Sequence, residues 1–154
     1  KLGIIRCMQT EITAPEAGIF GQSEREKALL WKEVSFNVFL ASEVKFRHDA
    51  SDSVLEIYYC RSGRVGWNMQ GGTAVYLGTG DVTAHSMTCC ADSAMMFPLG
   101  YSEGISISVN LKQLSSICPE VLKNAGVEAD QLRDRFCSGK PSAIPSCSDL
   151  EHIF

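Results

Sequence analysis

Residues 55–82, LEIYYCRSGRVGWNMQGGTAVYLGTGDV, leave the chain few ways to fold. Apolar and polar residues alternate through it, and β-branched and aromatic residues are dense. Turn signals fall at Ser62-Gly63, at Gly71-Gly72, and at Gly78 followed by Gly80-Asp81. A period of two cut by glycine turns predicts antiparallel strands folded back into a barrel or sandwich.

The same pattern extends in both directions. VSFNVFL (34–40) alternates, 41–46 reads as a further strand, and a polar loop runs from His48 to Ser53. Strands are expected at 54–60, 64–70, 73–77, 81–88 and 92–97. GISISVNL (104–111) places Ile105, Ile107, Val109 and Leu111 on one face and Ser106, Ser108 and Asn110 on the other, as the last barrel strand. The period then changes. Leu111, Leu114 and Ile117 suit a short helix, Pro119 opens a second, and Gly126 closes it with a left-handed cap. Ala129, Leu132 and Phe136 line a third helical stretch, and Gly139 to Pro145 reads as a loop. Ser148-Asp-Leu-Glu151 is a capping box that announces another helix, which Phe154 leaves too short to stand alone. The expected division is an N-terminal extension packing on the barrel (1–33), a β-barrel (34–111) and a helical segment (112–154), together the front part of a longer protein.

At 154 residues, 45% hydrophobic and 21% charged, the chain has the make-up of one soluble globular domain. The net charge is −4 and the basic residues are scattered, which argues against a nucleic-acid grip by this segment itself. No apolar run is long enough to span a bilayer and no signal peptide is evident, so no membrane partner is expected. Seven cysteines, an odd number without regular spacing, fit a reducing cytoplasm.

In order, the chain offers a strand, the Gly63 turn, an aromatic strand, the Gly80-Asp81 turn and Pro98-Leu-Gly-Tyr101-Ser-Glu-Gly-Ile-Ser-Ile107. Short helices with Val127 and Phe136-Cys137 follow. This succession over 34–154 resembles the N-terminal regulatory domain of AraC/XylS-family transcriptional regulators. The resemblance implies a mostly β, cupin-like double-stranded barrel (a jelly roll of the RmlC type) with C-terminal α-helices. It implies a bacterial, cytoplasmic effector sensor and a possible homodimer, with DNA contacted only through a C-terminal helix-turn-helix domain outside this chain.

Glu56 and Gly63 stand as in the first motif of metal-binding cupins, but the His-x-His pair that motif requires is replaced by residues among Asp49, Ala50, Ser51 and Asp52. His48 and Glu56 offer two ligands where a catalytic zinc or iron needs three. His85, Cys89 and Cys90 cluster locally, yet adjacent cysteines fit one tetrahedral ion poorly, and buried cysteines commonly serve as small core residues. No metal, other cofactor or catalytic residue is expected; the alternative is a stand-alone cupin enzyme or small-molecule-binding protein. A small-molecule effector pocket is the favoured reading. Val54, Glu56, Tyr58 and Cys60 share one strand face, and Val65, Trp67 and Met69 share another. The candidate effector contacts are Glu56, Tyr58, Trp67, Met69, Met95 and Tyr101, with core filling as the competing role for Trp67 and Met69. His85 falls out of phase with Val82 and Ala84 and is expected at the surface. The helices after Leu111 are a candidate dimer surface; the first two are expected to pack on their own barrel, and the one from Ser148 to lead toward a dimer contact or the DNA-binding part.

Overall fold

The structure is a computed structural model that describes residues 10, 11 and 31–148. Among the described residues, ten strands form two antiparallel sheets: β1 (Thr10–Glu11), β2 (Trp31–Phe39), β3 (Glu43–Arg47), β4 (Val54–Gly63), β5 (Val65–Asn68), β6 (Ala74–Leu77), β7 (Val82–Ser86), β8 (Asp92–Met96), β9 (Ser102–Asn110) and β10 (Ala143–Ile144). The larger sheet runs β1-β2-β9-β4-β7-β10 and the smaller runs β3-β8-β5-β6. The long central pair, β4 and β9, is held in register by Leu55 opposite Val109, Glu56 opposite Ser108 and Tyr58 opposite Ser106.

Between the sheets lies a core of Phe39, Tyr58 and Cys60 from one side and Val65, Trp67, Val75, Leu77, Met95 and Phe97 from the other. Glycines close the corners. Gly63, at φ 91°, sits 2.7 Å in Cβ terms from the Tyr101 carbonyl, so that a side chain there meets backbone. Gly80, at φ 89°, lets the chain return to β4, where its N–H donates to the Cys60 carbonyl at 2.7 Å.

A second apolar layer lies on the outer face of the larger sheet. Helix α1 is the single turn Met87–Cys90; α2 spans Leu111–Ser116, α3 Glu120–Asn124, and α4 Ala129–Leu132, running on into a wide turn at Arg133–Cys137. Leu111, Leu114 and Ala129 pack on Leu55 and Val109, with Leu122, Leu132 and Phe136 at the margin. Asn110 caps α2, its Oδ1 accepting from Lys112 N and Gln113 N at 3.1 Å. Gly126, at φ 68°, ends α3, and Val127 N donates back to the Leu122 carbonyl.

Three expectations need correction. Ile117 is 47% exposed and does not join the buried stripe of Leu111 and Leu114. The stretch 139–145 contains β10, recruited as an edge strand by pairing with β7 at Thr83 and Val82. The strand expected over 81–88 stops at Ser86, whose hydroxyl accepts from Thr88 N and starts α1. The extension 1–33 and the helix signalled at Ser148 fall almost wholly outside the described residues.

Candidate functional site

The inner face of the larger sheet is polar. In β2 the alternation directs Ser35 and Asn37 inward, and in β9 it directs Ser106 and Ser108 the same way. Asn37 Nδ2 donates to Ser106 Oγ at 2.9 Å and Ser35 Oγ at 3.3 Å. Beside them, Ser108 Oγ donates to Glu56 Oε2 at 2.7 Å, a short charge-assisted bond that fixes the carboxylate against the barrel wall.

A chain of rings crosses between this wall and the smaller sheet. Phe97 stacks on Phe39 at 4.9 Å, Phe39 meets Phe46 edge-on at 6.2 Å, and Phe46 is tilted against Trp67 at 6.3 Å. Trp67 then stands edge-on to Tyr58 at 5.6 Å and to His85 at 5.1 Å. Trp67 is pinned through Nε1, which donates to Ser93 Oγ at 3.0 Å; Ser93 in turn donates to the Cys90 carbonyl.

A cavity of about 150 Å³ opens between wall and rings. Asn37, Glu56, Ser106 and Ser108 form its polar side. Phe39, Phe46, Tyr58 and Trp67 form the aromatic side, Met87, Cys90 and Met95 add sulfur, and the exposed His48 stands at the rim. Of the residues singled out in the sequence, Glu56, Tyr58, Trp67 and Met95 come together here. Met69 does not line the cavity: it is buried in the same core, beyond the end of β5. Tyr101 is 40% exposed on the turn before β9, because Gly100 at φ 74° carries the chain outward there.

His85 is the clearest reversal. It is fully buried and lies opposite Glu56 across β4 and β7. Val82 and Ala84 take the outer face instead, Ala84 packing into the helix layer. Both faces of β7 are covered, so apolar character in this strand does not mark the interior.

Burial also sets the chemistry. It lowers the His85 imidazole to about 4, leaving the ring neutral, and among the described residues neither ring nitrogen has a hydrogen-bond partner. Burial pushes the Cys90 thiol up to about 12, with the Glu56 and Cys89 charges adding to the effect. Burial likewise raises Tyr58. The Ser102 hydroxyl opposes that shift while lying outside hydrogen-bond geometry, so the buried Tyr58 Oη has no partner among the described residues. A protonated thiol is a poor nucleophile, since nucleophilic chemistry needs the thiolate. Among the described residues, no group of three His, Cys, Asp or Glu is placed to hold a metal ion.

No family model matches the sequence, and no curated protein matches it. Among solved structures, apo ToxT K231A from Vibrio cholerae is similar with a TM-score of 0.50 and 11% identity, over 78% of this chain and 45% of that one. The fold is that of a cupin barrel. A cupin protein from Bacteroides fragilis is similar at a TM-score of 0.44 and 18% identity, over 71% of this chain and 82% of that one. YhaK from Escherichia coli gives 0.42 and 13%, over 56% and 36%. This cupin barrel thus spans less than half the length of ToxT.

Sequence reasoning missed Asn37, Phe39, Phe46, His48, Met87, Cys90, Ser106 and Ser108 as cavity residues. The serines of β9 were visible as a single face, and Ser35, Asn37 and Phe39 alternate in the same way along β2. What neither strand revealed was which of its faces turns inward.

Proposed function

We propose that the barrel is the ligand-sensing part of an AraC-type transcriptional regulator and is a sensor, not a catalyst. DNA contact would belong to a helix-turn-helix region elsewhere in a longer protein. The observation that carries the reading is the cavity's place. Its polar wall, Glu56 with Ser106 and Ser108, is the inner face of the strands whose outer face, Leu55 with Ile107 and Val109, carries the helix layer. A ligand that favours one arrangement of that wall shifts the helices by its difference in affinity for the two arrangements. The protonated Cys90 thiol and neutral His85 support a binding role. ToxT has also been solved with an unsaturated fatty acid bound; the wall that carries Glu56 suits a different kind of occupant.

A thermal-shift screen of small molecules against the chain tests the sensing role. Hits are expected to raise the melting temperature and to lose affinity about tenfold or more in Trp67→Ala, on the scale of a buried aromatic contact, while Tyr101→Ala retains it. With a hit bound, amide exchange over residues 111–137 is expected to change. Hits indifferent to Trp67→Ala would remove the barrel from the reading. The regulatory role is tested by the reading frame after the codon for Phe154: two helix-turn-helix patterns with a basic recognition face are expected, and an early stop codon would overturn it.

A further inference from the structure

On the reading that the barrel binds a small molecule, we propose that its occupant is a small organic cation with an apolar body. Phe46 stands tilted and Tyr58 edge-on to Trp67, with centroids 6.3 Å and 5.6 Å from its own, and all three residues line the cavity. Rings so arranged attract an ammonium through their negative faces, the more so where water is excluded. The thioethers of Met87 and Met95 add polarisable, weakly accepting atoms.

The larger sheet supplies formal charge through Glu56, two residues before Tyr58 on the same face of β4. Glu56 accepts from Ser108 and holds further contacts. An ionised carboxylate offers about four lone-pair sites, so a ligand ammonium joins those contacts and needs no empty acceptor. Among the described lining residues there is no Lys or Arg to receive an anion. A wholly apolar guest would strip water from Asn37, Ser106 and Glu56 without replacing its hydrogen bonds. The cavity of about 150 Å³ sets the size: an apolar cavity of similar volume holds benzene, so the cation has roughly six to eight heavy atoms.

Calorimetric titration with three probes of similar size and different charge decides the point: benzylammonium, benzyl alcohol and benzoate, with cyclopentylammonium as a second cation. Benzylammonium is expected to bind at least tenfold tighter than the alcohol, and benzoate more weakly still. Glu56→Gln is expected to narrow the cation's advantage to about threefold or less, with the circular dichroism spectrum unchanged. If that variant does not fold, the wild-type ranking alone decides. Alcohol or benzoate binding as tightly as the cation overturns the proposal and leaves the barrel a ligand site. Failure of both cations, while some other molecule binds in a Trp67-dependent way, also overturns it and spares the sensor. Absence of any Trp67-dependent ligand removes both.

Discussion

The Tyr58 ring lies so close over β9 that a Cβ on Gly104 would overlap its hydroxyl and Cζ, with Cε2 at 2.8 Å. Gly104→Ala is therefore expected to push the ring off one side of the cavity and cost about 1–3 kcal/mol, the range for overpacking a core, read as a lower urea midpoint. Tyr58→Phe is expected to be close to neutral or slightly stabilising. It removes a buried hydroxyl that has no partner and leaves the ring contact with Trp67 intact. A loss above about 2 kcal/mol in that variant would mean the hydroxyl is bonded after all. His85 yields a pH dependence with a definite sign. Its folded value of about 4 lies below the ordinary 6.5, so the unfolded chain binds the extra proton between those limits. Its contribution is complete above about pH 6.5 and is lost as pH falls toward 4, by about 3 kcal/mol at most. Urea midpoints measured across that window should decline with acid in the wild type, and the decline should be shallower in His85→Phe. Parallel curves would show that other groups carry the acid sensitivity.

At the scale of elements, helix α2 joins the barrel to the outer layer, and two of its features can be separated. Leu114, 2% exposed, packs with Leu55 and Val109, and Leu114→Ala is expected to cost about 2–4 kcal/mol. Asn110 supports the helix start alone, and Asn110→Ala is expected to cost about 1 kcal/mol. The two variants also distinguish packing from capping in amide exchange. Leu114→Ala should expose residues 111–137 broadly, whereas Asn110→Ala should affect the first turn, and equal effects from both would make the layer a single cooperative unit. How much of an element can be read in the sequence depends on its surroundings. Strand β3, with one face toward water, alternates in burial as its residues alternate in polarity, and β6 alternates in burial although AVYL is apolar throughout. Strand β7 does not: Thr83 and His85 point inward and Val82 and Ala84 outward, the reverse of a hydrophobic-inside rule. The turn of α1 also escaped, because Ser86 followed by MTCC reads equally well as the end of a strand.

At the scale of the whole molecule, the two-sheet barrel and the change of period at Leu111 were legible, since both follow from periodicity and glycine placement along a continuous chain. The site was legible in part. Glu56 and Trp67 stood out as a carboxylate and an aromatic on successive strands, while the partners that make them a cavity come from β2, β3, β8, β9 and α1, and the register of those strands is fixed by long-range pairing. The double-covered sheet has a consequence for how the sequence can change. On β4 and β9, Glu56 and Ser108 answer to the cavity, while Leu55 and Val109 between them answer to the helices. In a saturation mutagenesis scan, β3 and β6 should show tolerance at every second position. β4 and β9 should show almost none, so the strands that line the cavity are also those least free to drift.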